Sequence, residues 1–261
     1  MIEIRDLWAG YGELDILRGF EINVESGTTN CIVGPNGAGK STVLKALSGL
    51  LSPSMGSIVV DGVDVTGEPP SVVLRAGVAQ VPQRNGLFAG LSVKENVLMG
   101  AYVIRSNRRA LQTRYEQLCE TFPILRARAH EPAGTLSGGQ RRMVEFARVM
   151  MLKPRVVLLD EPTLGLDPKS LSIISDSVAA MQREGVTILM VEQNVRFGLR
   201  LADHATVMSG GTVALAGTAE EIRDHPNLMS LFFGRAPAEV TNGDSDLRPT
   251  AQAAQPFRGS V

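Results

Sequence analysis

Eight consecutive residues limit the folds open to this chain more than any other feature: Gly34-Pro35-Asn36-Gly37-Ala38-Gly39-Lys40-Ser41. They fit the pattern G-x-x-x-x-G-K-[ST]. A stretch that reads as a strand precedes them at residues 28–33, and a helix-forming stretch follows from Lys40 to about residue 50. Strand, glycine-rich turn and helix in that order can wrap backbone N–H groups around phosphate oxygens, and the helix N-terminus adds the positive end of its dipole. In this reading Gly34, Asn36, Gly37 and Gly39 form the loop, Lys40 reaches the β- and γ-phosphates, and Ser41 offers its hydroxyl to Mg²⁺.

The rest of the chain suits such a loop. Short apolar runs alternate with helix-length amphipathic stretches, the pattern of an α/β fold with a largely parallel central sheet. Residues 156–159 and 186–191 are continuous branched runs, as expected of strands buried on both faces. Residues 2–7 and 57–65 read as antiparallel strands, the second interrupted by an Asp61-Gly62 turn. Between residues 93 and 151 no strand pattern appears, so a helical subdomain of about 88–152 is expected, inserted into an α/β domain spanning 1–234. Past residue 234 large apolar side chains are few. That tail cannot bury enough surface to offset its ordering entropy, and it reads as disordered or as a docking peptide.

Charge and composition remove several classes of function. Twenty-six Lys+Arg against 27 Asp+Glu leave a formal charge of −1, and aromatics are 5% of the chain. Neither figure suits a nucleic-acid binder, which needs a basic surface or stacking platforms. Cys31 and Cys119 stand far apart with no partner pair, so neither a zinc site nor a disulfide framework is expected. No apolar run approaches the roughly 18 residues of a spanning helix. The charges at Glu3, Arg5 and Asp6 are unlike a signal peptide, and a cytoplasmic chain is the expectation.

Two further motifs carry chemistry. Asp160-Glu161 closes the run 156–159; a carboxylate at such a strand end, beside a phosphate loop, can hold Mg²⁺, and its neighbour can orient or deprotonate a water. Taken alone, two acids after a strand also fit the start of a solvated loop. Leu136-Ser137-Gly138-Gly139-Gln140 opens a helix with Ser137 at the N-cap and two glycines that allow close backbone approach.

The order phosphate loop, LSGGQ, apolar strand ending in Asp160-Glu161, then Gly165-Leu166-Asp167 resembles the ATP-binding-cassette (ABC) ATPases over residues 1–234. The resemblance implies a RecA-like P-loop NTPase core with an antiparallel β subdomain and an inserted helical subdomain. It also implies two such domains packed head to tail, with ATP between the phosphate loop of one and the LSGGQ of the other. By position, Tyr11 is similar to the aromatic that stacks on adenine, and Thr42 to the residue that contacts the α-phosphate. Gln83 resembles the residue linking Mg²⁺ and the attacking water to the partner surface. Ser137, Gly139 and Gln140 would serve the opposite subunit's ATP, and Asp167 would cross the dimer interface.

One position departs from the common pattern. After the run 186–191 most members carry a switch histidine, whereas this chain reads Val191-Glu192-Gln193-Asn194. Gln193 can hydrogen-bond a phosphate oxygen but cannot carry a positive charge, so slower hydrolysis at this chain's own loop is expected. Residues 91–102 (LSVKENVLMGAY), 191–194 (VEQN) and 228–234 (LMSLFFG) together resemble the smaller ATPase of branched-chain amino acid importers, where Gln at the switch position is usual. That resemblance implies a heterodimer of ABC ATPases on the cytoplasmic face of the membrane, below membrane-spanning subunits and served by a separate solute-binding protein. Urea or short-amide importers and lipopolysaccharide exporters are close alternatives. A soluble non-transport ATPase of the same family is less suited, because residues 39–137 leave no room for a coiled-coil insertion and no second phosphate loop follows.

Overall fold

The computed structural model describes residues 1–83, 86–102 and 107–233, and the tail expected past residue 234 lies outside them. In chain order the first half contains β1 (Ile2–Tyr11), β2 (Leu14–Val24), β3 (Thr29–Val33), α1 (Lys40–Leu47), β4 (Met55–Val60), β5 (Val63–Asp64), α2 (Pro70–Arg75) and β6 (Val78–Val81). Next come α3 (Val93–Met99), α4 (Arg108–Thr121), α5 (Ile124–Ala127) and α6 (Gly138–Met150). The chain then forms β7 (Val156–Asp160), α7 (Pro168–Arg183), β8 (Thr187–Glu192), α8 (Val195–Leu201), β9 (His204–Ser209), β10 (Thr212–Thr218), α9 (Ala219–Arg223) and α10 (Leu228–Phe233).

The unbroken apolar runs become strands that feed two cores at once. In β7, Val156 and Leu158 point into one core with Phe20, Leu44 and Leu47, while Val157 and Leu159 point into the other with Leu118, Phe146 and Met150. β8 divides the same way, Leu189 and Val191 to the first core, Ile188 and Met190 to the second. The period-2 pleat sends successive side chains to opposite faces, so burial on both faces demands apolar residues at every position.

These strands lie in a six-stranded sheet ordered β10-β9-β3-β8-β7-β6. Pairing from β9 through β6 is parallel, and β10 is antiparallel to β9. Parallel order places the ends of β3, β6, β7 and β8 on one edge, and ligands in open α/β sheets bind outside such carboxyl ends. A second, antiparallel sheet ordered β2-β1-β4-β5 covers α1. The two sheets meet where the Arg18 N–H donates to the Gly211 carbonyl at 3.1 Å. A Cβ on Gly211 would stand 1.9 Å from the Ile16 carbonyl oxygen, and its φ is +85°, so the seam requires glycine.

The antiparallel sheet is larger than the sequence reading. β1 runs on to Tyr11 rather than ending at residue 7, and it pairs with β2, which alternation did not reveal. Register shifts in β1 after Ile4, Leu7 and Ala9, with Asp6 at φ 43°, break the period-2 pattern that marks a strand. The helix after the phosphate loop stops at Leu47 instead of near residue 50, because Gly49 turns the chain at φ +74°. Among the described residues of 88–152 the chain forms α3 to α6 and a 3₁₀ turn at Ala133–Thr135, and no strand. Leu118, Leu125, Phe146 and Met150 of that segment share a core with β7 and β8.

Candidate functional site

At the end of β3 the chain must turn sharply beneath β9. A Cβ on Gly34 would lie 2.4 Å from the Met208 carbonyl oxygen, so only glycine allows that approach. Gly39, at φ +101°, is the N-cap of α1 and provides no side-chain cap for its first turn. Lys40 curls back inside the loop, its Nζ donating to the Gly34 carbonyl at 2.8 Å and the Pro35 carbonyl at 3.0 Å. Burial lowers the Lys40 pKa, opposed by the nearby Glu161 and Asp160 carboxylates. Thr42 is buried in the first turn, and its N–H donates to the Gly39 carbonyl at 3.0 Å.

Two hydrogen bonds join the loop to the neighbouring strand ends. Ser41 Oγ donates to Asp160 Oδ1 at 3.2 Å across the sheet edge. Burial raises the Asp160 pKa, and the Ser41 hydrogen bond partly opposes it. Gln83 Nε2 donates to Glu161 Oε2 at 2.6 Å, joining the segment after β6 to the segment after β7. Glu161 holds a left-handed backbone at φ 44°, a conformation that costs a non-glycine residue about 1–3 kcal/mol and clusters at working sites. Its N–H is held by the Val191 carbonyl at 3.0 Å. Ser41, Asp160 and Gln83 present a hydroxyl, a carboxylate and an amide: hard oxygen ligands of the kind Mg²⁺ takes alongside substrate phosphates.

The end of β8 holds a carboxylate that sequence reasoning passed over. Glu192 is 1% exposed and accepts from Thr163 N at 3.1 Å, Thr163 Oγ1 at 2.9 Å and Asn194 N at 3.3 Å. Burial pushes its pKa up, against the pull of those donors. Gln193, next along, is exposed. The Asn194 side chain caps α8 through the Phe197 N–H at 3.1 Å. The available signal for Glu192 was its place at the last position of a run buried on both faces.

Other named residues sit further out. Tyr11, half exposed at the end of β1, accepts from Lys45 Nζ at 3.0 Å, and that ammonium stands 5.3 Å from the ring centre. Ser137 and Gln140 form a reciprocal capping box at the start of α6: Ser137 N donates to Gln140 Oε1 at 3.0 Å and Gln140 N to Ser137 Oγ at 3.3 Å. A Cβ on Gly139 would lie 2.8 Å from Ser170 Oγ, so this glycine lets α7 pack close to the start of α6. Asp167 caps α7, accepting from Lys169 N at 2.9 Å, Ser170 N at 3.1 Å and Ser170 Oγ at 2.7 Å. A groove of about 420 Å³ runs between Gln83, Gly138, Arg141 and Leu166, joining the Gln83 side of the site to the start of α6.

Two hydrogen bonds thus join the phosphate loop and Gln83 to the strand-end acids, and a groove leads from Gln83 to the start of α6. The sequence pattern described as ABC transporter matches residues 17–164. The chain belongs to the ABC transporter family. This ABC chain is 38% identical over 235 residues to a probable branched-chain amino acid transport ATP-binding protein, LivF, of Archaeoglobus fulgidus, covering 90% of the chain and 99% of the relative. It is 36% identical over 224 residues to the high-affinity branched-chain amino acid transport ATP-binding protein BraG of Pseudomonas aeruginosa, covering 86% and 95%. Among solved structures it resembles the ADP conformation of an ATP-binding cassette of an ABC transporter. There the TM-score is 0.82 at 25% identity, covering 90% of this chain and 98% of that one. Its fold is that of the RecA-like cassettes, and its activity is that of an ABC transporter ATPase. No helix among the described residues is long and apolar enough to cross a membrane.

Proposed function

We propose that this ABC ATPase binds MgATP on its phosphate loop, closes against the LSGGQ of a second ABC ATPase, and so powers import of branched-chain amino acids. The observation that carries the site is the pair of bonds Ser41–Asp160 and Gln83–Glu161, which draws three separate sequence segments to one sheet edge. In this reading the Gly34, Asn36, Gly37 and Gly39 backbone, Lys40 and Thr42 hold the phosphates, and Tyr11 stacks on adenine. Ser41, Asp160 and Gln83 would hold Mg²⁺, which would supply positive charge against the phosphates.

Lys40 releases the loop carbonyls when phosphate oxygens arrive, exchanging dipoles for full negative charge. Glu161, fixed by its strained backbone, takes the proton of the attacking water, and Gln83 holds that carboxylate in line. Gln193 donates to a γ-phosphate oxygen as a neutral group. Ser137, Gly139 and Gln140 serve the ATP of the opposite subunit, the α6 N-terminus supplying dipole and amides, and Asp167 lies at the seam between subunits. Loss of the γ-phosphate removes the charge that held the halves together, and the dimer reopens.

The similarity to LivF and BraG, both named as branched-chain amino acid transport ATP-binding proteins, supports the solute. The assembly then comprises two different ABC ATPases on the cytoplasmic face, membrane-spanning subunits above them and a separate solute-binding protein, with no nucleic-acid partner. Steady-state ATP hydrolysis, followed against the concentration of the purified chain, tests the site. Glu161→Gln should cut turnover about a hundredfold or more while leaving ATP bound. Full turnover in that variant would remove Glu161 from the chemistry. A specific rate that climbs with concentration would favour self-pairing over the heterodimer. Uptake of labelled leucine by vesicles carrying the assembled complex tests the solute; uptake of urea or a short amide instead would reassign it.

A further inference from the structure

Helix α6 begins with the LSGGQ residues, yet two charged residues lie on its buried face. Arg142 and Glu145 form an ion pair at 2.7 Å with side chains only 8% and 10% exposed. Both continue onto the backbone that carries Gln83. Arg142 Nη1 donates to the Pro82 carbonyl at 2.8 Å, and Nη2 donates to the Gln83 carbonyl. Glu145 Oε1 accepts from the Gly86 N–H at 3.2 Å. One turn further on, Arg148 Nη1 donates to the Gly86 carbonyl, and its guanidinium lies 5.3 Å from the centre of the Phe88 ring. Three residues at i, i+3 and i+6 of one helix therefore grip the backbone on both sides of residues 84–85. A Cβ on Gly86 would lie 2.6 Å from Glu145 Oε1, so the chain passes there as closely as glycine permits.

A buried ion pair is a poor stabiliser compared with apolar residues of similar volume, because two charges must be stripped of water. Packing alone therefore does not account for this one. Its hydrogen bonds end on the peptide whose side chain reaches Glu161, and that end point suggests its purpose.

We propose that Arg142 and Glu145 are positioning residues: they latch the segment around Gln83 to α6, so that the helix bearing LSGGQ sets the reach of Gln83 to Glu161. The proposal rests on the reading of Gln83 and Glu161 given above. The latch makes one rigid connection between the groups serving this chain's own ATP and the helix start that serves the partner's. A displacement of α6 then moves Gln83 directly.

Two measurements on the full-length chain test it. The first is amide hydrogen exchange in wild type, Arg142→Met and the double variant Arg142→Met/Glu145→Leu. The amides around Gln83 and Gly86 should exchange about tenfold faster in both variants, while those of residues 138–150 keep their protection. Unchanged exchange near Gln83 would overturn the latch. Lost protection along α6 in both variants would overturn it as well, since the pair would then be holding the helix itself.

The second is a double-mutant cycle on ATP hydrolysis. Arg142→Met should lower kcat about tenfold, with KM for ATP within about twofold, and Arg142→Lys, which keeps one donor, should recover part of the loss. Combined with Gln83→Ala, the same substitution should change kcat by less than about twofold, because its effect passes through Gln83. Losses that multiply would overturn the proposal. If Glu161→Gln and Gln83→Ala leave turnover unchanged, it is the reading of the catalytic site that fails, and the exchange measurement still decides the latch.

Discussion

Glu192 shows how one atom group can be hidden in a sequence. In the sequence it stands unremarked between Val191 and Gln193, yet its carboxylate is buried among Thr163 N, Thr163 Oγ1 and Asn194 N. Lys40, Ser41 and Asp160 were legible because their motif states both residue type and spacing. Glu192 belongs to no such motif, and its partner lies 29 positions away. Its raised pKa has a consequence for stability. The folded chain holds the Glu192 proton more tightly than the unfolded chain, so in the window just above the ordinary carboxylate value folding takes up a proton. The residue's contribution is therefore largest at acid pH and declines as pH rises through the folded value. In chemical denaturation, the stability of wild type minus that of Glu192→Gln should be greater near pH 4.5 than near pH 8. A difference that does not vary with pH would mean that burial leaves this carboxyl unperturbed.

At the scale of elements, what the sequence disclosed depended on how regular each element is. β7 and β8, with unbroken apolar runs over residues 156–159 and 188–191, are visible without any structure; β2, with Arg18, Gly19 and Glu21 among its outward residues, is not. Ladder pairing holds β2 in place, and pairing leaves little mark on composition. The start of α6 was the opposite case, since Ser137 with Gln140 three positions on is a readable capping box. Here the two uses of one residue can be separated. Ser137→Ala should destabilise the chain by about 1 kcal/mol in denaturant melts, the usual worth of an N-cap. If Ser137 also serves the partner's ATP, the same variant should lower turnover of the assembled dimer by more than that loss of stability would produce. The packing of Gly139 against α7 was not legible for a related reason: a glycine needed by a neighbouring helix looks the same in sequence as one needed by a loop.

For the whole molecule, the fold and its family were legible from the order of motifs, whereas the connections between motifs were not. Nothing in the chain's linear pattern announces that Arg142 and Glu145, on a helix counted as part of an inserted subdomain, bond to the residues after β6. In the proposed cycle the switch position belongs to this scale, because the γ-phosphate it would contact lies between two cassettes. Replacing the exposed Gln193 with His should raise turnover of the assembled ATPase, since an imidazolium adds positive charge where the neutral amide offers only a hydrogen bond. Unchanged or slower hydrolysis would show that the amide suffices.

The division of β7 and β8 between two cores has a mechanical consequence. A beam embedded on both sides cannot bend without tearing a void in one bed or crushing the other, and close-packed protein resists both. The strand ends bearing Asp160 and Glu192 therefore behave as anchorages. Any working stroke must appear as rotation of pieces attached at the rim, with the sheet as the frame against which they push.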